Sequence, residues 1–357
     1  MKKKILGLLM SALLVATMLT GCGASSTSEA TATAAGSGEL NIFVWTEYVP
    51  DSVIEKFEKE TGIKVNMSTY SSNEDCLSKV KSEAAGAYDI VQPSDYMVAN
   101  MIAQGMLAEL DFDKLPNFSN IGDSYKNPAY DPGNKYSVPY MGGAGAIAVN
   151  RDKIDLEIDS YDDLFDPTLE GQLVVLDDFR AVIGMANKAL GFDFNETDTE
   201  KLGKTEVKLQ SIKKNIVLYD SDSPKSALIS GDCNAGMIWS AEVAMAMEEN
   251  PSIEVIYPSE GAYLFFDNWC ITKDSPNYDN ALTFLNFMMD PENMAMVLEE
   301  FPYLCANTAA IELMGDEYSS NPAKNPPAEA IAKGTYVENL DSEILDIYSE
   351  MWTKLKE

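Results

Sequence analysis

The sequence predicts an α/β fold of two lobes, each a mostly parallel sheet flanked by helices. Three observations carry that prediction. Strand-like and helical segments alternate in short units from Leu40 past Asp95. The same alternation resumes between Gly171 and Asn250, and between the two stretches lies an extended, glycine-rich run at 135–150, KYSVPYMGGAGAIAVN.

Taken in order, LNIFVW (40–45) reads as a buried strand. SVIEKFEKETG then reads as a helix, with Ser52 and Glu55 as a capping box and Gly62 as its stop. Residues 63–67 alternate as a second strand. From Asn73 to Ala85 a helix puts Cys76, Leu77 and Val80 on one face, with Gly86 ending it. YDIVQ gives a short buried strand running into Pro93 and Ser94, and another helix starts near Asp95. In the second stretch, GQLVVLDD is a strand and FRAVIGMANKALG a helix, followed later by strand NAGMIWS and helix AEVAMAMEEN. The run at 135–150 is expected to be a hinge strand crossing between lobes, its glycines giving the backbone freedom.

Residues 1–21, MKKKILGLLMSALLVATMLTG, join three lysines to a roughly 15-residue apolar run, too short to span a bilayer and correctly flanked for a secretory signal. The run ends in Leu19-Thr20-Gly21-Cys22, the pattern of a lipoprotein cleavage site, so Cys22 is the expected lipidation site and membrane anchor. Residues 22–38, small and polar without apolar periodicity, read as a flexible tether. The protein is therefore expected outside the cytoplasm, lipid-anchored to the cell membrane on its periplasmic or cell-surface side.

Composition excludes several classes of function. Lys and Arg number 26 against 57 Asp and Glu, a formal charge of −31, which argues against nucleic acid and anionic substrates and favours cations. Histidine is absent, which removes Ser-His-Asp and Cys-His catalysis, HExxH metalloproteases and the usual transition-metal ligand. Cys76, Cys233, Cys270 and Cys305 show no metal-like spacing; no metal or cofactor is expected, and their disulfide state is open. Gly143-x-Gly145-x-x-Ala148 continues as a strand where a dinucleotide loop needs a helix, and Gly203-Lys204-Thr205 lacks the first glycine of a phosphate loop.

In open parallel sheets ligands bind beyond the carboxyl ends of the strands. Residues at such places are Trp45, Thr46, Glu47 and Tyr48; Ser94, Asp95 and Tyr96; Asp177 and Asp178; Trp239; and Phe265, Phe266 and Asp267. They combine ring faces with carboxylates, and the only cation beside them is Arg180, so they suit an organic cation with an aliphatic body. A ring within about 6 Å of an ammonium contributes roughly 0.5–2 kcal/mol, and a buried ammonium needs a carboxylate besides. Each residue also has a purely structural explanation: Ser94 and Asp178 as helix N-caps, Glu47 facing solvent, Trp45 and Trp239 as core.

The motifs VWTEYVP, ETGIKV, GAYDIVQPSDYMV, NFSN, YSVPY, GMIWS and FDNW, in this order over about residues 39–357, resemble the bacterial spermidine/putrescine-binding proteins of polyamine uptake transporters. The resemblance implies a two-lobed periplasmic-binding-protein fold of type II. Its lobes would be 39–145 plus about 269–312 and 146–268 plus about 313–357, with a linear polyamine in the interlobe cleft. It implies that Trp45, Tyr96 and Trp239 wall the methylene chain, that Glu47, Asp178 and Asp267 pair ammonium groups, and that Tyr48, Ser94 and Tyr303 supply packing or hydroxyl contacts. Phe265 stands where the family has a cleft tryptophan, Ala181 where it often has a glutamate, and Val337 where it has a glutamine, which leaves spermidine, putrescine and spermine open. The implied partners are a polyamine and the subunits of an ABC-type permease, with the protein itself a monomer and not an enzyme. Competing readings are a receptor for another organic cation, including a basic amino acid held by Arg180, and a glycan hydrolase using Asp177 with Asp267.

Overall fold

A computed structural model describes residues 38–357; the leader, Cys22 and almost all of the tether lie outside the described residues. The chain runs β1 (Glu39–Trp45), α1 (Asp51–Thr61), β2 (Lys64–Tyr70), α2 (Asn73–Ser82), β3 (Ile90–Val91), α3 (Asp95–Ala103) and then, after short turns, β4 (Ser137–Asn150). It continues with β5 (Leu173–Val175), α4 (Phe179–Ala189), α5 (Thr199–Ile212), β6 (Ile216–Tyr219), α6 (Lys225–Ser230), β7 (Ala235–Trp239), α7 (Ser240–Glu249), β8 (Ile253–Ile256) and β9 (Tyr263–Ile271). The last elements are α8 (Tyr278–Met288), α9 (Pro291–Glu300), β10 (Leu304–Cys305), α10 (Thr308–Ser320), α11 (Ala328–Lys333), β11 (Thr335–Tyr336) and α12 (Ser342–Lys356).

The strands form one curled sheet in the order β2-β1-β3-β9-β4-β7-β5-β6, with β10 and β8 added to β4 and β11 to β9. The β2-β1-β3 wing is parallel, as is the β7-β5-β6 wing, so each half obeys the predicted α/β rule. β4 and β9 are the antiparallel exceptions and join the wings. Ser137–Pro139 of β4 pair with Asn268–Cys270, and Gly142–Gly145 pair with Phe266–Tyr263, with a register shift between the two runs. The expected crossing strand is therefore present, and all fourteen of its residues are buried.

Its glycines do a different job from the one expected. Gly142, Gly143 and Gly145 are absent from the positive-φ positions, so the backbone there is ordinary. What Gly142 supplies is room: a Cβ at this position would lie 2.5 Å from the Phe265 carbonyl and 2.5 Å from the Phe266 ring. Beyond this contact, Trp269 of β9 is 1% exposed and packs its ring 4.8 Å from Tyr140 and 5.4 Å from Phe284, seating the crossing strands against α8.

Local expectations hold at most other elements. Gly62 ends α1 in the left-handed region at φ 75, its N–H donating to the Glu58 carbonyl. The expected capping box does not form, because Pro50 takes the cap position and α1 begins at Asp51, before Ser52. Helix α2 stops at Ser82, three residues short of Ala85, where Glu83 turns extended. Cys76, Cys233, Cys270 and Cys305 are buried free thiols, which closes the open question of their pairing. No described helix is long and apolar enough to cross a membrane.

The close approach at Gly142 gives a direct test. Gly142→Ala is expected to destabilise the protein by about 1–3 kcal/mol, the usual cost of overpacking a tight core. Gly203→Ala, inside α5 with nothing within 4 Å of the new Cβ, is expected to be neutral or to stabilise by up to about 1 kcal/mol. Urea unfolding of the two variants checks the contrast.

Candidate ligand-binding site

The carboxyl ends of β1, β3, β6 and β7 converge on β9, and there they form a partly open cavity lined by Trp45, Thr46, Tyr48, Tyr70, Ser94, Ser221, Asp222, Trp239, Tyr263, Phe265, Asp267 and Tyr303. Along β9 the pleat sends Tyr263, Phe265 and Asp267 into this cavity and turns Phe266 to the opposite face. Seven of the ten residues singled out in the sequence line it: Trp45, Tyr48, Ser94, Trp239, Phe265, Asp267 and Tyr303.

Asp267 is the polar centre. It is 3% exposed, and its two oxygens accept hydrogen bonds from the Tyr48 hydroxyl at 2.9 Å and the Ser94 hydroxyl at 2.6 Å. Among the described residues no lysine or arginine pairs with it. Burial pushes its carboxyl up to about 7, although both hydroxyls favour the charged form. Ser94 is itself oriented. Asn73 Nδ2 donates to its hydroxyl oxygen at 2.9 Å and Asn73 Oδ1 accepts from its backbone N–H at 3.0 Å, which leaves the hydroxyl proton for Asp267.

Ser94 and Asp178 carry the same cap-like signature in sequence, and the structure separates them. Ser94 occupies the N-cap of α3 but makes no side-chain capping bond, because its hydroxyl is committed to Asp267. Asp178 does cap α4, one carboxylate oxygen accepting from the Arg180 and Ala181 N–H groups at 2.8 and 3.1 Å. It lies outside the cavity lining yet remains close. The Tyr263 hydroxyl, on the cavity wall, is pushed up by burial and then by the charges of Asp178 and Asp267.

Rings build the walls. Tyr48 meets Tyr303 edge-on at 4.9 Å, Phe265 meets Trp239 at 5.0 Å and Tyr303 at 6.3 Å, and Trp45 leans on Tyr70 at 4.6 Å. The indole N–H groups donate to backbone carbonyls, Trp45 to Gln92 at 2.9 Å and Trp239 to Ser221 at 3.0 Å. Both indoles are thus held in place, packed against the core on one side and lining the cavity on the other.

Glu47 and Tyr96 are placed differently from the expectation. Glu47 has φ 49, rare for a residue with a side chain and a strain of about 1–3 kcal/mol. The turn aims Trp45 and Tyr48 inward and Glu47 toward Lys225. Tyr96 lines a neighbouring cavity with Asp95, Tyr125, Tyr130, Phe266 and Val337, and its hydroxyl donates to Glu74 Oε1 at 3.0 Å. Burial and then the Asp178 charge push the Glu74 carboxyl up, against the Arg180 charge and the Tyr96 hydrogen bond, which favour its charged form.

Two competing readings lose their geometry. Arg180 is 3% exposed, donates to the Glu338 carbonyl at 2.7 Å and stacks its guanidinium 5.5 Å over Tyr96, so it offers nothing to a ligand carboxylate in the main cavity. Asp177 pairs with Lys356 at 2.6 Å and does not line the cavity with Asp267. The sequence reading missed Tyr70, Ser221, Asp222, Tyr263, Glu74 and Lys225. Tyr70, Ser221 and Asp222 follow the same strand-end rule at β2 and β6, and Tyr263 is two residues from Phe265 on one pleat face. Lys225 carries no local signal.

Residues 52–327 match the family model described as bacterial extracellular solute-binding protein. The chain is 37% identical over 339 residues to the spermidine/putrescine-binding periplasmic protein of Escherichia coli K12, covering 95% of this chain and 97% of that one. It is 33% identical over 358 residues to spermidine/putrescine-binding periplasmic protein 1 of Haemophilus influenzae, covering 99% of both. Among solved structures, the spermidine/putrescine ABC transporter substrate-binding protein of Streptococcus pneumoniae superposes with a TM-score of 0.75 at 32% identity, over 90% of this chain and 99% of that one. The chain belongs to the bacterial extracellular solute-binding protein family, with the two-lobed fold of its periplasmic-binding-protein neighbours.

Proposed function

We propose that this protein captures a linear polyamine outside the cytoplasm and delivers it to an ABC-type permease. The observation that carries the reading is Asp267, a buried carboxylate inside an aromatic cavity with hydroxyl donors but no cationic partner among the described residues. A protonated amine supplies the missing charge, and the rings of Trp45, Tyr48, Trp239, Phe265 and Tyr303 take up the methylenes between amines. Asp178 and the Tyr96-bonded Glu74, outside the cavity lining, are assigned the second ammonium, in a neighbourhood they share with the Arg180 guanidinium stacked over Tyr96. The names of the relatives support the same ligand class. The lobes are assigned as 39–145 plus about 269–312 and 146–268 plus about 313–357, with β4 and β9 as the hinge. The protein acts as a monomer tethered through Cys22, and its task is binding rather than turnover.

Calorimetric titration of the ligand-stripped mature protein with putrescine, spermidine and spermine tests this, with arginine, lysine and thiamine as controls. Stoichiometric binding of a polyamine alone is expected; absence of polyamine heat overturns the reading. Asp267→Asn is expected to weaken binding by about 2–5 kcal/mol, roughly thirtyfold or more, the cost of breaking a buried charge pair.

The pH dependence follows from the sign of the Asp267 shift. The empty site holds its proton up to about 7, whereas the bound ammonium requires the carboxylate ionised. Affinity is therefore expected to rise with pH from 5 to above 7 and then level, by at most about tenfold per pH unit from this group. Titration at pH 6 in buffers of different ionisation enthalpy should register proton release, reduced in Asp267→Asn.

A further inference from the structure

The cleft carries a primary ammonium of its own. Lys225 Nζ lies 2.6 Å from Glu47 Oε2, 2.9 Å from the Ser223 hydroxyl, and 3.3 and 3.1 Å from the two oxygens of Glu242. Lys225 is 17% exposed and Glu242 1%, while Glu47 is 40% exposed. The pair spans the sheet: Glu47 follows β1 in one parallel wing, and Lys225 opens α6 after β6 in the other.

The cluster borders the ligand cavity. Glu47 sits between Thr46 and Tyr48, both of which line it, and Lys225 follows the lining residues Ser221 and Asp222. Tyr303, a cavity wall, has its hydroxyl pushed up by burial and then by the charges of Glu242, Asp267 and Glu47. Burial works against the charged lysine, but Glu242 and Glu47 outweigh it and raise its pKa, so Lys225 stays an ammonium.

We propose that Lys225 is a specificity-determining residue that occupies Glu47 in place of a ligand ammonium and thereby makes the cleft a site for a linear diamine in preference to a triamine. The inference rests on the polyamine reading above. With Glu47 taken, two anionic positions shielded from bulk water stay open, Asp267 at one end and the Asp178 and Glu74 group at the other, whereas Asp222 on the cavity lining is exposed to solvent. A third ligand ammonium finds no shielded carboxylate and meets the lysine charge instead.

Removing Lys225 alone would strand the buried Glu242, so the test uses Lys225→Met with Glu242→Gln and compares it with wild type by calorimetric titration. Wild type is expected to bind putrescine more tightly than spermidine. The double variant is expected to gain roughly ten- to a hundredfold for spermidine, the range of one charge-assisted bond, and to stay within about threefold for putrescine. Adding Glu47→Gln should cancel the spermidine gain. Equal changes for both ligands, or a gain that survives Glu47→Gln, overturn the inference while leaving polyamine binding intact. A wild-type preference for spermidine of about tenfold or more overturns it without any variant, which keeps the test valid should the variants not fold. Binding of neither amine by wild type overturns the polyamine reading and this inference with it.

Discussion

The antiparallel pairing of β4 with β9 is the constraint on which the rest of the structure depends. These strands are the shared boundary of two parallel wings, and β9 lies across the carboxyl ends of strands from both. Because β3 runs with β4 and β7 runs against it, the two wings point in opposite directions, and the residues after β1 and β3 face those after β6 and β7 across the middle of β4 and β9. The pleat of β9 then puts Tyr263, Phe265 and Asp267 at the floor of that meeting place. Gly142 lets the two strands approach closely enough for this, and a register shift between Pro139 and Gly142 marks where the pairing passes from one wing to the other.

The electrostatics of the cleft follow from which carboxylates already have partners. Asp267 has neutral donors and no cation among the described residues, and burial raises its affinity for a proton, so the empty site resists its own charge. Asp178 spends one oxygen on a helix N-terminus, and Glu47 is held by Lys225. Three acidic residues that look equivalent in a sequence thus meet three different sets of partners. The strongly acidic chain draws cations toward the surface in general; selectivity resides in these partners and in the ring walls.

The alternation of strands and helices was legible because each element carries its own signal: apolar runs of strand length, helical periodicity, and a stop such as Gly62. Strand ends could therefore be located, and with them most of the cavity lining. The sequence could not separate Ser94 from Asp178, since both precede a helix by one residue. The difference lies in Asp267, which is 173 residues from Ser94 along the chain and hydrogen-bonded to it in the fold. The glycines of β4 were misread for a similar reason. Their need for space arises from Phe265 and Phe266 on a distant strand.

By itself the sequence determined the fold class, the order of the elements and the family, together with the aromatic and acidic character of the site, because those properties are local or additive along the chain. Only the tertiary structure decided that Asp267 is unpaired by any cation among the described residues, that Asp178 is a cap, and that Lys225 occupies Glu47. The Glu47 and Lys225 side chains meet across 178 residues of chain, where no periodicity or spacing rule reaches. Whether a carboxylate is free for a ligand is a property of its neighbours in space, and folding alone assigns them.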